Sequence, residues 1–339
     1  MAELIVRVVE LKGSYKQMGY EQGVELKSQP LFEHQMDQQR GLTVHSNSLK
    51  AKELVKSLCP NFFQELQGLA EGLDMDLEAT IKQFSGYDLT FPSMGCTTMV
   101  KKGFYVRNYD FSPELYDGRF VITNPNDGYA TVGFSQQIVG RLDGMNEKGL
   151  VVGLHFVNDQ YRGPGFIATT IVRMVLEQCA DTEEAIAFIT NLPHGYCYNF
   201  SITDQSGKSA IIEASPDKQM IHYTDMLMCT NHFESEPLRA KNRAEVLSSI
   251  KRKEYLYSMQ DHEQTPFAAY QLFNDENSPL FFQYYKEYFG TLHTVVYSPK
   301  ELKVLVGVGG DFPPLEFSLR EYLQGKSSLP DKLIGKIKM

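Results

Sequence analysis

The chain has 339 residues, 42% of them hydrophobic and 22% charged, which suffices for a sizeable core in one large domain or two. A net charge of −9 and a pI near 5.5 exclude broad nucleic-acid binding, and no apolar run reads as a signal peptide or membrane span. Five scattered cysteines, Cys59, Cys96, Cys179, Cys197 and Cys229, predict free thiols of a reducing, cytoplasmic compartment.

The opening residues alternate as a strand does, and Gly13 to Gly23 reads as a turn feeding a glycine-punctuated helix. Apolar residues at helical spacing run from Leu54 to Leu73, with Pro60 suited to a helix start within them. Asp74 or Asp76 is placed to cap a short helix over Leu77–Phe84. From Met94 the texture becomes that of strands: Phe104–Val106, Phe120–Thr123, then an Asn126-Asp127-Gly128 turn, Ala130–Phe134 and Leu150–Phe156. Helices follow over Ala168–Gln178 and Thr182–Asn191, the second introduced by Asp181 with Glu184 in capping-box spacing. Strands resume at Asn199–Thr203, Ser209–Glu213 and Met226–Cys229. Polar helices are expected over Leu238–Lys253 and Pro266–Phe273, with Lys251-Arg252-Lys253 as a solvated face. A hairpin of Thr291–Tyr297 and Leu302–Val308 turns at Ser298-Pro299. The pattern is one α+β domain with sheet at its centre and helices on the faces, preceded by a helical segment.

The chemistry concentrates between Met94 and Asp110. Gly95-Cys96-Thr97 opens a strand, Lys101-Lys102-Gly103 turns it, and Arg107-Asn108-Tyr109-Asp110 closes the return. The two arms of such a hairpin bring Cys96 near Arg107 and Asp110. A guanidinium favours a thiolate, and a carboxylate can orient an ammonium. A mid-chain Cys after Gly can also attack the carbonyl preceding it, and hydrolysis of the resulting thioester frees an α-amine with an ordinary pKa near ~8 to serve as its base.

Met94-Gly-Cys-Thr-Thr98 with Arg107-Asn-Tyr-Asp110 resembles the N-terminal nucleophile hydrolases of the acyl-CoA:6-aminopenicillanic acid acyltransferase-like family, relatives of the choloylglycine hydrolases and penicillin V acylases. Gly13 to Gly23, Asp143 to Leu150, Thr230-Asn-His-Phe233 and Thr291-Leu-His-Thr294 extend the resemblance over nearly the whole chain. It implies an αββα sandwich over residues 96–339 behind a helical segment over 1–95, together one compact domain, with self-cleavage between Gly95 and Cys96, and Cys96 as nucleophile with its own amine as base. It further implies Arg107 beside the thiol, Asp110 on the ammonium and the Asn231 amide on an oxyanion. His155 stands where relatives often carry Asn. Arg243 or Arg239 is expected as a second active-site arginine, Arg243 preferred. The implied substrate is a small-molecule acylated amine or acyl thioester, acted on as a linear non-peptide C–N amide, with no cofactor, nucleic-acid or membrane partner. A homo-oligomer is compatible with this.

Two other readings stay open on the residues alone. A conventional Cys–His hydrolase would pair Cys96 with His155, His232 or His293, and an inactive homologue would keep the fold as a binding protein. Cys229-x-x-His232 is half a zinc pattern without a second pair, so no metal is expected. His34 and His45 read as surface or satisfied core residues. The aromatic cluster Phe281, Phe282, Tyr284, Tyr285, Tyr288 and Phe289 reads as core or as the lining of an acyl pocket.

Overall fold

The computed structural model describes residues 1–29, 32, 41, 43, 46–90, 92–262 and 264–338. His34 and His45 lie outside the described residues. The chain opens with β1 (Ala2–Gly13), then α1 (Tyr15–Lys27), α2 (Ser48–Leu58), α3 (Pro60–Leu73) and α4 (Leu77–Phe84). The stretch of helical spacing from Leu54 to Leu73 divides at Cys59, and Pro60 opens the second helix as expected. Pro60 disfavours helical backbone in the residue before it, and Cys59 sits at φ −147°, ψ 74°. Asp76 is the cap of α4, its side chain accepting from the Ala79 N–H at 2.9 Å. Asp74 ends α3 in the left-handed region.

The glycines of α1 have a packing purpose. A Cβ on Gly19 would stand 2.0 Å from the Glu65 carbonyl oxygen, and one on Gly68 1.8 Å from that of Lys16. The α1 and α3 backbones therefore touch directly, as only glycine permits.

Strands β2 (Gly95–Lys101), β3 (Phe104–Phe111), β4 (Arg119–Pro125), β5 (Thr131–Gln136), β6 (Gly140–Arg141), β7 (Asp143–Asn146) and β8 (Val151–Asn158) follow. Next come α5 (Ala168–Gln178) and α6 (Thr182–Thr190), the latter capped by Asp181 as its sequence predicts. Then come β9 (Cys197–Thr203), β10 (Ser209–Ala214), β11 (Gln219–Tyr223), β12 (Leu227–Cys229), α7 (Glu236–Arg239), α8 (Leu247–Ser258) and α9 (Pro266–Asn274). The chain closes with β13 (Gly290–Ser298), β14 (Lys303–Val308), β15 (Leu315–Ser318), α10 (Leu319–Leu323) and β16 (Lys332–Ile337). The helix expected over Leu238–Lys253 is thus two helices separated by a loop, and β6, β7, β11, β15 and β16 add to the expected strands.

Among the described residues the strands form two sheets. The larger runs β11-β10-β9-β8-β7-β5-β4-β1-β16, with β6 beside β5, and the smaller β12-β2-β3-β13-β14-β15. Helices α5 and α6 cover the outer face of the larger sheet, and α8 and α9 that of the smaller. This is the expected α+β architecture, an αββα sandwich. Among the described residues, 1–95 supply β1 to the larger sheet as well as α1 to α4, and β1 pairs with both β4 and β16. A buried ion cluster joins the layers: Arg173 of α5 pairs with Glu65 of α3 and with Glu177 at 2.7 Å.

Candidate active site

The β2–β3 hairpin turns through Lys102 and Gly103, both at positive φ, and its register pairs Gly95 with Asp110, Cys96 with Tyr109 and Thr98 with Arg107. Directly opposed residues of an antiparallel pair share a face. Cys96 and Arg107 therefore point between the sheets, whereas Asp110 points toward α8.

The Cys96 thiol is fully buried, and Arg107 Nη2 donates to its sulfur at 3.0 Å. The same guanidinium donates through Nε to Asp143 at 3.0 Å and through Nη1 to the Leu154 carbonyl at 2.5 Å. Asp143 in turn accepts from Tyr297 at 2.6 Å, and His293, stacked on Phe134, stands 3.5 Å from it. Arg107 is thus fixed by the opposite sheet before it meets the sulfur. Burial works against its cation, but Cys96, Tyr105 and Asp143 raise its pKa overall. Burial pushes the Cys96 thiol up to about 11, with Arg107 pulling it down and Asp110 adding to the rise. In the uncleaved chain the sulfur is a thiol at neutral pH, and its nucleophilic form needs a base.

On the other face, Asp110 Oδ1 accepts from Thr291 at 2.6 Å, whereas Oδ2 is buried without a hydrogen-bond partner. That oxygen lies 3.0 Å from where a Gly95 Cβ would stand, so it sits beside the Gly95–Cys96 peptide. Burial raises the Asp110 pKa, opposed by Arg252, Thr291 and Arg107. A buried carboxylate oxygen without a donor is costly unless a cation is supplied. The Arg252 guanidinium stands 3.9 Å from Oδ2, beyond hydrogen-bond range, and an ammonium freed at Cys96 would be a further cation beside it.

Asn231 reaches the same peptide. Its Oδ1 accepts from the Cys96 N–H at 2.9 Å and from Arg252 Nη2 at 2.9 Å, while its Nδ2, expected on an oxyanion, donates to the Phe156 carbonyl at 2.9 Å. Two donors at one atom and a carbonyl at the other fix the amide's orientation.

Arg252, which the sequence did not single out for the site, reaches it as well. It is 4% exposed, donates to the Cys96 carbonyl at 2.8 Å and to the Thr97 hydroxyl, and stands 3.9 Å from Asp110. The expectation that Lys251-Arg252-Lys253 forms a solvated face is wrong for Arg252 and Lys253, both buried. The missed signal was the helical spacing of Ser249, Arg252, Lys253 and Leu256, which share the buried face of α8. Arg239 is exposed and donates to the Glu234 carbonyl at 2.8 Å, away from the thiol. Arg243 is half-buried in the loop before α8; burial lowers its pKa, and Cys96 is near enough to act on it electrostatically.

His155 is buried beside this group on β8, its Nε2 on the Ser201 hydroxyl at 2.9 Å. Burial first, then Arg107 and Arg252, push its pKa well below that of an ordinary imidazole. His232 bonds Ser249, and His293 bonds Tyr116. The side chain that donates to the Cys96 sulfur is that of Arg107. From the aromatic cluster, Phe282 lies under the Arg252 guanidinium at 5.1 Å, and Phe289 closes the space next to Gly95. Among the described residues no three His, Cys, Asp or Glu side chains converge as metal ligands would, and no helix is long and apolar enough to cross a membrane.

A family model described as acyl-coenzyme A:6-aminopenicillanic acid acyl-transferase matches residues 98–311. No curated protein matches the chain. Similar solved structures include a mutant conjugated bile acid hydrolase from Clostridium perfringens, at 12% identity and TM-score 0.49, over 67% of this chain and 93% of that one. Penicillin V acylase from Agrobacterium tumefaciens aligns at 18% identity and TM-score 0.40, over 68% of this chain and 80% of its own. The Caenorhabditis elegans ortholog of N-acylethanolamine-hydrolyzing acid amidase aligns at 13% identity and TM-score 0.39, over 60% and 93% respectively.

Proposed function

The chain belongs to the acyl-coenzyme A:6-aminopenicillanic acid acyl-transferase family, and from that premise we propose a self-activating cysteine amidohydrolase or acyltransferase with Cys96 as nucleophile. One observation carries the reading: the Gly95–Cys96 peptide lies between Arg107 on the sulfur and the orphan oxygen of Asp110.

Maturation begins when the Cys96 sulfur attacks the Gly95 carbonyl carbon. The thiol proton passes to the Cys96 nitrogen, the C–N bond breaks and a thioester forms. Water then hydrolyses that thioester, leaving a carboxylate at Gly95 and a free thiol and amine on Cys96. Asp110 and the Asn231 carbonyl oxygen hold this amine in place. In turnover the amine takes the thiol proton and the thiolate attacks a linear amide or acyl thioester. The amine or thiol leaving group departs with the proton, and the acyl group passes from sulfur to water or to an amine. Arg107 stabilises the sulfur anion throughout, and an amine, a thiol and fixed dipoles suffice without a cofactor.

Intact mass of the purified chain beside Cys96→Ala tests the reading. Wild type is expected to yield fragments of 95 and 339 − 95 = 244 residues, and Cys96→Ala a single uncut chain. An uncut wild type would sink it, because no α-amine would exist to act as base.

A further inference from the structure

Away from the thiol, a cavity of about 160 Å³ lies where the β9–β11 end of the larger sheet meets β12 and α8. We propose that it is a second binding site, which takes a small primary alkylammonium up to about the size of butylammonium. Neither Cys96 nor Arg107, Asp110, Asn231 or Arg252 lines it, so the inference stands apart from the nucleophile assignment above.

Two buried acceptors stand in its walls. Strand register sets Asn199 of β9 opposite Glu213 of β10 on one face, and each is 2% exposed. Asn199 Nδ2 donates to the Thr230 carbonyl at 3.2 Å and to that of His232 at 2.9 Å, whereas its Oδ1 has no hydrogen-bond partner. The Glu213 carboxylate accepts the Glu234 N–H at 2.5 Å and the Ser235 N–H at 3.1 Å. Among the described residues no lysine or arginine pairs with it, and His222 Nε2 stands 3.6 Å away. Lys253, the ammonium in the wall, is bonded to Glu234. Burial first, and then Lys253, lowers the pKa of His232 and keeps its imidazole uncharged. Glu213 and Glu234 against Lys253 leave the walls short of positive charge, a costly state for a buried carboxylate.

The ligand class follows from these walls. A primary ammonium brings one charge and several N–H donors, which suit the Asn199 oxygen and the Glu213 carboxylate together. Ile211, Met228 and Tyr257 line the remainder and give an apolar stem a surface to cover. Entry is past His222, whose side chain is 44% exposed, and Tyr257, 47% exposed. At roughly 30 Å³ for each water-sized atom the space holds about five non-hydrogen atoms, the size of butylammonium. An anion would face two carboxylates. A metal ion would lack its ligands, because among the described residues no three His, Cys, Asp or Glu side chains converge.

The test is calorimetric titration of butylammonium chloride into full-length Cys96→Ala, which has no thiol to turn an amine over. One saturable site per chain is expected at roughly millimolar concentration, the range open to a ligand of a few heavy atoms. Butyltrimethylammonium keeps the charge without an N–H, and 1-butanol keeps the stem without the charge. Both are expected to bind at least about tenfold more weakly. Glu213→Gln in the same background keeps the shape and removes the charge, and with circular dichroism unchanged it is expected to weaken binding at least about tenfold. Ile211→Trp, which fills the cavity from β10, is expected to abolish it. Absence of saturable binding, or equal affinity for butylammonium and butyltrimethylammonium, overturns the site. Affinity unchanged in both variants overturns it too. Should the variants misfold, the three probes in the parent decide alone. No outcome bears on cleavage at Gly95–Cys96, so the site and the nucleophile stand or fall separately.

Discussion

At the scale of single residues, the buried Asp110 Oδ2 without a hydrogen-bond donor leaves the uncleaved chain with a cost that an ammonium at Cys96 would offset. A buried carboxylate whose pKa is raised disfavours folding whenever it is ionised. Stability is fullest below the ordinary carboxylate value and is lost as pH rises through the folded value. Asp110→Asn removes that charge without changing shape. In a Cys96→Ala background, which isolates the uncleaved fold, Asp110→Asn is expected to raise the thermal midpoint at pH 7. The gain should shrink as pH falls toward 4. In the wild-type background the same change should lower turnover by at least about tenfold, because the new ammonium loses its partner. A fall in both stability and turnover would assign Asp110 to ordinary packing. The thiol makes a second prediction. With its pKa near 11 in the uncleaved chain, the thiolate is scarce at neutral pH. The cleavage rate should climb with pH from 6 to 9, and a pH-independent rate would mean that the sulfur is deprotonated by another route.

At the scale of elements, the hairpin and α8 explain what the sequence did and did not disclose. Cys96, Arg107 and Asp110 were legible because one tight turn fixes their register, and a local rule of strand pairing places them. Asn231 followed only from a motif resemblance, since its approach to Cys96 spans the chain. Arg252 was obscured by its neighbours: two lysines flank it, and a run of three cations suggests solvent. The helix period separates them, leaving Lys251 exposed and turning Arg252 inward. Asp143 and His293 carried no local signal, because they meet Arg107 only once the two sheets are stacked. The helix start at Pro60 was legible because proline fits the first helical turn and disfavours helical backbone in the residue before it. The α8 reading is testable by contrast. Arg252→Met removes the donor to both the Cys96 carbonyl and Asn231, and should slow cleavage at Gly95–Cys96 at least tenfold. Lys251→Met, one residue away, should leave cleavage unchanged and stability within about 0.5 kcal/mol. Equal effects would return the whole run to the surface.

At the scale of the whole molecule, a cut after Gly95 would divide the covalent chain without dividing the fold. Strand β1 lies inside the larger sheet, parallel to β4 over Arg7–Gly13 and antiparallel to β16 over Ala2–Arg7. Its removal would break two ladders and expose Leu4, Val6, Val9 and Leu11, all buried. The helices hold from a second direction. Glu65 of α3 accepts from Arg173 of α5, and Gln22 of α1 donates to Glu65 at 2.6 Å and accepts from Arg119 of β4 at 3.2 Å. A departing segment would leave Arg173 with Glu177 alone and take Gln22 from Arg119, and loss of one partner from a buried pair costs about 3–5 kcal/mol. The 95- and 244-residue fragments should therefore co-elute at equal stoichiometry in native size exclusion and separate only in denaturant. Glu65→Ala should lower the thermal midpoint by the equivalent of about 3 kcal/mol and loosen the complex. Glu71→Ala, which removes only the exposed pair with Lys16, should change stability by less than about 1 kcal/mol. If the wild-type fragments separate in native buffer at micromolar concentration, β1 and the ion cluster do not hold the halves. The mature enzyme would then be the 244-residue fragment alone, with its larger sheet open between β4 and β16.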